Sequence, residues 1–284
     1  FQKKFCLIKI SFKNMNQINK ETKIFISISS RPSNLGTKIY NNIFKRLKIN
    51  AIYKSFKVTN LEDLKKTILF LDLKGVSVSM PFKEKVINHL DKLDEVSKKI
   101  KIVNTIKNQN GKLIGYNTDF LAIKKKFLGI KKIRGYNFLL YGNGAIAKTV
   151  IFALKSLMVR NIYVTGRNKK KINNLKKKLG FKIFDKKKSY DYKKLFLINC
   201  SLIGMVGNKH NQTPFESKLI SRSSVVMDLV NYPSETKLIK LAKKFKKKII
   251  TGSSISLHQI KYQSEIYLKK KIKINLIKNS FKNK

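Results

Sequence analysis

The sequence predicts an α/β protein of two domains, the second built on a doubly wound, mostly parallel sheet. Three observations predict it. After Gly135, apolar strands and amphipathic helices alternate cleanly as far as Thr251. A glycine-rich turn, Gly142-Asn143-Gly144-Ala145-Ile146-Ala147, follows one of these strands and opens a helix. Before Gly135 the alternation is interrupted by a hairpin, which marks a separate architecture.

The elements follow in order from the hydrophobic pattern. Residues 23–29 alternate and read as a strand. A loop with Arg31, Pro32 and Gly36 leads into an amphipathic helix over 37–47. Strand 51–57, helix 61–70 and strand 75–79 follow, and Pro81-Phe82-Lys83 ends the third strand. Another helix starts over 84–89. Residues 102–107 and 113–116 form a hairpin around Asn110-Gly111, a turn pair that favours positive φ. A helix covers 120–127. Beyond Gly135 the strands are 137–141, 161–165, 195–199, 225–229 and 248–251, with helices over 145–158, 169–179 and 236–245 between them. A last helix begins near Ile255 and runs past Tyr267, and the Lys- and Asn-rich tail after it is expected to fray. Residues 1–14 precede the first methionine, Met15, and are expected to be dispensable, with translation starting at Met15.

Composition narrows the function. The 284 residues include 64 Lys or Arg against 15 Asp or Glu, a formal charge of +49, and 42% are hydrophobic, enough for a buried core. Such a charge suggests nucleic acid or an anionic surface. Arg, the residue that reads base edges, occurs at six positions (31, 46, 134, 160, 167 and 222). Lys, Ile and Asn abound while Ala is rare, which fits AT-biased codon usage, and the lysines run through every helix instead of gathering on one face. The expectation is therefore no specific nucleic-acid partner. No apolar run reaches the roughly 18–20 residues of a membrane-spanning helix. Cys6 and Cys200 match no metal spacing, His89, His210 and His258 are scattered, and no metal site is expected.

The chemistry gathers in four motifs. In the glycine turn, Gly142 permits a tight bend, Gly144 lets a pyrophosphate approach the backbone, and Ala147 lets helix and strand pack closely. Free N–H groups at the helix start, including that of Ala145, favour phosphate. This is the context of a Rossmann-type dinucleotide turn. At the end of the next strand, where NAD enzymes carry an acid, stands Thr165-Gly166-Arg167-Asn168-Lys169-Lys170-Lys171. Arg167 offers a planar cation for a 2′-phosphate and Lys171 can add charge, so NADP(H) is the expected cofactor. The third motif, Ser77-Val78-Ser79-Met80-Pro81-Phe82-Lys83-Glu84, aims Lys83 from a proline-terminated strand. The fourth pairs Val103-Asn104-Thr105 with Gly115-Tyr116-Asn117-Thr118-Asp119. Asp119 precedes a helix, so by itself it reads more readily as a helix N-cap than as a catalyst.

Together these motifs resemble the shikimate dehydrogenase family, nearest its shikimate dehydrogenase-like branch. Pro81–Glu84, Val103–Thr105, Asn117–Asp119, Gly142–Ala147, Asn199–Met205 and Gly252–Gln259 match the family signatures in order. Arg31-Pro32-Ser33-Asn34-Leu35-Gly36-Thr37 is similar to the variant branch. The resemblance implies that Lys83 and Asp119 are the catalytic pair and that Ser79, Asn104 and Gln259 bond substrate hydroxyls. The family's usual serine pair for the substrate carboxylate is missing, and Asn34, Thr37 or N–H groups near Gly36 are candidates to replace it. Asn231 stands where the family usually has a tyrosine. Cofactor positions carried over are Gly142, Gly144, Ala145, Ala147, Arg167, Asn168, Lys171, Asn199 and Gly252.

The implied architecture is an N-terminal substrate-binding domain, 15–118, to which the C-terminal helices (252–284) return, and a Rossmann-type NADP-binding domain, 119–251. The implied reaction is the reversible reduction of 3-dehydroshikimate to shikimate by NADPH, a step towards chorismate and the aromatic amino acids. A small-molecule substrate, no membrane, a cytoplasmic location and a monomer or homodimer complete the expectation. The alternatives are a quinate or related cyclitol-acid dehydrogenase and, in another class, an NADP-binding pseudoenzyme or a basic nucleic-acid binder.

Overall fold

The computed structural model describes residues 18–186, 192–207 and 209–282; the segment 1–14 and the start at Met15 lie outside them. Two six-stranded sheets organise the chain. The first contains β1 (Lys23–Ser29), β2 (Ala51–Lys57), β3 (Gly75–Val78), β4 (Lys92–Leu93), β5 (Thr105–Gln109) and β6 (Lys112–Tyr116) in the order β2-β1-β3-β5-β6-β4. Its first three strands run parallel, because α1 (Asn34–Arg46) and α2 (Leu64–Phe70) supply the crossovers. The strands β3, β5 and β6 pair antiparallel through the expected hairpin. At its tip Asn110 and Gly111 both take positive φ (52° and 81°), and Asn108 Oδ1 accepts from the Gly111 N–H at 2.9 Å.

The second sheet contains β7 (Asn137–Tyr141), β8 (Ile162–Thr165), β9 (Lys182–Ile183), β10 (Leu195–Asn199), β11 (Val225–Asp228) and β12 (Lys248–Ile250). All its pairings are parallel, in the order β12-β11-β10-β7-β8-β9. Counted within this sheet, that is the doubly wound dinucleotide order, with its switch point between β7 and β10. The helices α5 (Ala145–Ser156), α6 (Lys169–Leu179), α7 (Ser217–Arg222) and α8 (Lys237–Lys244) connect these strands. Between the sheets runs α4 (Thr118–Leu128), while α3 (Glu95–Ile100) lies between β4 and β5. After β12, α9 (Gly252–Leu268) and α10 (Ile274–Lys282) lead back to the first sheet.

Several expectations are corrected. The helix expected at 37–47 starts at Asn34, because Ser33 is extended and Gly36 fits inside the first turn, where a Cβ would lie 3.4 Å from the Tyr53 ring. The helix expected at 61–70 starts at Leu64, and 84–89 winds as a 3-10 turn over Lys85–His89. The C-terminal tail does not fray. It folds as α10 because its sparse apolar residues fall on one face, and Ile272 and Ile277 are buried with Phe25, Ile39, Tyr40, Phe44 and Tyr267. That cluster closes the first sheet with helices from both ends of the described chain.

Candidate active site

The segment after β3 fixes Lys83 through its backbone. The Ser79 N–H donates to Ile28 O (3.0 Å), Phe82 is buried, and Lys83 O accepts from the Val103 N–H (2.8 Å). From this anchored position Lys83 Nζ reaches Asp119 Oδ2 at 2.7 Å, with the two side chains 18% and 16% exposed. Asp119 is the second residue of α4, and the cap of that helix is Asn117, whose Oδ1 accepts from the Phe120 N–H at 2.9 Å. The carboxylate is therefore spared capping and turns to Lys83. Its charge also suits the positive end of the helix dipole. An ammonium–carboxylate contact of this length, largely withdrawn from water, is a charge-assisted bond that salt screens weakly.

A buried polar network is built around Thr118, the residue before Asp119. Asn104 Oδ1 accepts from the Thr118 N–H (2.9 Å), the Thr118 hydroxyl (3.0 Å) and the Thr105 hydroxyl (2.9 Å). Gln259 Nε2 donates to Thr118 Oγ1 (3.0 Å) and to Gln263 Oε1 (3.2 Å). Gln263 Nε2 donates to Thr105 Oγ1 (2.7 Å) and Asn104 O (3.2 Å), and its Oε1 accepts from the Tyr40 hydroxyl. These bonds orient the two carboxamides oppositely: Asn104 keeps Nδ2, a donor, and Gln259 keeps Oε1, an acceptor, for a ligand. Thr118 lay inside a recognised motif without a role of its own, and the roles of Gln263 and Tyr40 depend on pairings across 158 and 223 positions.

The other substrate candidates stand on neighbouring ground. Ser79 is exposed just beyond β3. Asn34, exposed, is the first residue of α1. Thr37 Oγ1 lies 3.1 Å from Ser55 Oγ, which accepts from Ser27 Oγ at 2.9 Å. Ser77, in register with Ser27, accepts from the Tyr53 hydroxyl (2.7 Å) and lies 3.0 Å from the Tyr267 hydroxyl. Burial pushes Tyr53 up to about 12 and raises Tyr40 and Tyr267 as well, so these phenols are neutral hydrogen-bonding groups at ordinary pH. Thr37 is thus tied to a hydroxyl chain along β1 and β2.

The glycine turn lies over the switch point of the second sheet. Gly142 has φ +129°, and a Cβ there would lie 2.9 Å from Cys200 O at the end of β10, so two strand ends approach through it. Gly144 is the N-cap of α5; a Cβ on it would meet nothing within 4 Å, and the first turn carries neither an acid nor a side-chain cap. Open space before uncapped N–H groups fits a dinucleotide pyrophosphate, with Ala145 in the first turn and Ala147 buried against the sheet. Arg167 is exposed after β8. Asn168 caps α6 by accepting from the Lys171 N–H (2.8 Å), and Asn143 Nδ2 donates to its backbone oxygen (3.5 Å), tying the two loops together.

Residues 33–106 match the family described as the shikimate dehydrogenase substrate binding domain. A shikimate dehydrogenase-like protein of Haemophilus influenzae is 34% identical over 227 residues, covering 80% of this chain and 83% of its own. A shikimate dehydrogenase (NADP(+)) of Pyrococcus furiosus is 35% identical over 234 residues, covering 80% and 83%. The chain belongs to the shikimate dehydrogenase family. Solved structures agree: a shikimate 5-dehydrogenase-like protein superposes with a TM-score of 0.85 at 32% identity, over 93% of this chain and 98% of its own. A shikimate dehydrogenase in complex with NADP+ superposes at 0.82 with 29% identity, over 94% and 96%.

Against the shikimate dehydrogenase pattern, two carried-over cofactor residues have structural explanations here. Asn199 is wholly buried; its Nδ2 donates to Ile203 O (2.8 Å) and Asp228 Oδ1 (3.0 Å), and its Oδ1 accepts from the Ser201 N–H (3.0 Å) and hydroxyl (2.7 Å). Its side chain is saturated within the protein, so it shapes the Asn199–Met205 turn and has no group left for a cofactor. Gly252 opens α9 where a Cβ would lie 2.2 Å from Val230 O, which requires glycine on packing grounds. Asn231, at the family's tyrosine position, accepts from the Ser256 hydroxyl at 2.8 Å, and Tyr232 beside it is exposed.

Proposed function

We propose that this shikimate dehydrogenase family member reduces the C3 ketone of 3-dehydroshikimate to shikimate with NADPH, reversibly. The single observation that carries the reading is the sheltered 2.7 Å Lys83–Asp119 pair, beside Thr118, which is hydrogen-bonded to Asn104 and Gln259. Gly142, Gly144, Ala145 and the first N–H groups of α5 would hold the pyrophosphate, and Arg167 with Lys171 the 2′-phosphate. NADPH, when bound, supplies the hydride that the ketone carbon takes.

The residues of this chain supply the rest. The Lys83 ammonium polarises the ketone oxygen and delivers its proton, Asp119 holds the ammonium in place, and solvent returns the proton afterwards. Asn104 Nδ2 and Gln259 Oε1 offer a donor and an acceptor to ring hydroxyls, and Ser79 adds a hydroxyl at the strand end. Asn34 and Thr37 remain the candidates for the carboxylate. The domain division that goes with this reading is 15–118 with 252–284 for the substrate and 119–251 for NADP.

The test is NADP+ reduction followed at 340 nm with shikimate and with quinate in parallel arms. Turnover with shikimate is the expected result. Turnover with quinate alone would move the substrate to the related cyclitol acid, and turnover with neither would sink the reading.

A further inference from the structure

Hydride transfer asks for an alignment that neither half of the molecule sets alone. In the proposed reaction the ketone is held from the first sheet and the cofactor from the second. Reacting atoms must approach to roughly 3–3.5 Å, and a misplacement of about 1 Å can cost 10²-fold. Something at the junction has to fix that distance.

One face of α5 meets the neighbours of both members of the catalytic pair. Lys148 Nζ donates to Glu84 Oε2 at 2.6 Å, and Glu84 directly follows Lys83. One turn further along α5, Phe152 packs on Phe120 with ring centroids 5.6 Å apart, and Phe120 directly follows Asp119. Residues four apart lie on the same face of a helix, so Lys148 and Phe152 form one ridge. The same helix begins at Gly144, whose carbonyl accepts from the Lys148 N–H at 3.1 Å, directly before the proposed pyrophosphate seat.

In a chain with 64 basic and 15 acidic residues, that an acid finds a lysine says little. Placement says more. Lys65–Asp91 and Lys74–Asp72 lie within the first sheet's half, and Lys186–Glu216 and Lys243–Glu235 within the second's. Lys148–Glu84 bridges the halves, with Lys148 27% and Glu84 46% exposed. Glu84 and Lys83 share one peptide unit, whose carbonyl, Lys83 O, accepts from the Val103 N–H at 2.8 Å.

We propose that Glu84 and Lys148 are positioning residues that, with the Phe120–Phe152 contact, set the cofactor helix at its working distance from Lys83 and Asp119. This rests on the NADPH-dependent ketone reduction proposed above. Losing the pair leaves each ligand's own half intact, so its signature is a fall in kcat with binding preserved.

The experiment is a charge-reversal cycle on the full chain: Glu84→Lys, Lys148→Glu and the double variant, with Glu84→Gln and Lys148→Arg beside them. Turnover is read at saturating cofactor, NADP+ affinity by calorimetry, and deuterium uptake over residues 79–90 and 145–152 in the cofactor-free chain. Glu84→Lys should lower kcat about 10–100-fold while the shikimate KM and the NADP+ Kd stay within about threefold of native. Glu84→Gln, the gentler change, should cost about twofold to fivefold and raise uptake in both segments. Restoring opposite charges in the double variant should recover most of the lost turnover, and Lys148→Arg should outperform Lys148→Glu. The proposal is overturned by native kcat in both Glu84 variants, by a double variant no better than the worse single one, or by NADP+ affinity falling in step with kcat in the Glu84 variants. If the native chain turned over neither shikimate nor quinate, the functional reading would fail, and the deuterium uptake would still judge the bridge: unchanged uptake in Glu84→Gln overturns it.

Discussion

The two sheets build their parts of the site from different materials. On the first, the chemistry lies in side chains held by other side chains: Lys83 by Asp119, Asn104 and Gln259 by Thr118 and Gln263. On the second, it lies in the backbone, in a turn where Gly142 lets β7 touch the end of β10 and Gly144 leaves space before α5. A side-chain site is sensitive to the identity of each group, whereas a backbone site is sensitive to added volume and to φ. Substitutions at the two places should therefore fail in different ways.

The largest effect is expected at the side-chain site. Lys83→Ala should reduce turnover about 10²–10⁴-fold, the usual scale for an acid–base group, with a much smaller change in NADP+ affinity. Asp119→Asn should behave similarly. Because the two act as a unit, the double variant should be little worse than the worse single one. Fully additive losses, measured by single-turnover kinetics, would break the pair into independent groups.

The glycines sharpen the contrast. Gly142→Ala forces an L residue to φ +129° and sets a Cβ 2.9 Å from Cys200 O. It should destabilise the fold by about 1–3 kcal/mol, read by urea denaturation. Gly144→Ala meets no neighbour within 4 Å and should keep native stability while weakening NADP+, because the methyl group occupies the space before α5. If both variants were equally unstable, the distinction between a packing glycine and a ligand-facing glycine would be lost.

Legibility followed the same divide. The glycine turn, the Asn110-Gly111 hairpin and the alternation beyond Gly135 are local signals, and all three are present in the fold. The network of Gln263, Tyr40 and Thr105 is set by chain crossing: Gln263 and Thr105 stand 158 residues apart, so no window along the sequence contains both. Asp119 shows the intermediate case. Its motif was visible, but its freedom to face Lys83 depends on Asn117 taking the helix cap, a choice between two cap formers two positions apart that only the three-dimensional arrangement decides. The tail after α9 misled for a compositional reason. Lysine and asparagine dominate it, yet a few apolar residues spaced along one face suffice once the tyrosine cluster offers them a surface.

A smaller effect is expected at the cofactor's outer end. Arg167 is exposed, so Arg167→Ala should raise the KM for NADP+ by about tenfold, the worth of one charge-assisted bond, and leave that for NAD+ nearly unchanged. Equal use of both cofactors by the native protein would remove the basis for this prediction.

The smallest effect separates two acids with different partners. Asp119 has a cation at 2.7 Å, whereas Asp228 is buried at the end of β11 and held by neutral donors. Its Oδ1 accepts from Asn199 Nδ2 and the Val230 N–H, both at 3.0 Å, and its Oδ2 from the Thr236 hydroxyl at 2.6 Å. Burial raises its pKa above the ordinary carboxylate value, outweighing the three hydrogen bonds that lower it. The sign follows from linkage. A folded-state pKa above the unfolded value means that the folded protein holds this proton more tightly, so the associated stability is fully present below the unfolded pKa, about 3.9, and is lost as pH rises through the folded value. Asp228→Asn cannot ionise. Its Oδ1 can still accept from Asn199 and Val230, while the Thr236 hydroxyl loses its acceptor at Oδ2, a cost that does not vary with pH. As pH rises from about 4, the native chain should therefore lose stability relative to Asp228→Asn, as read by urea denaturation at each pH, because all other titrating groups cancel in the comparison. A difference that stayed flat across that range would mean that Asp228 titrates alike folded and unfolded, its buried donors compensating its desolvation in full.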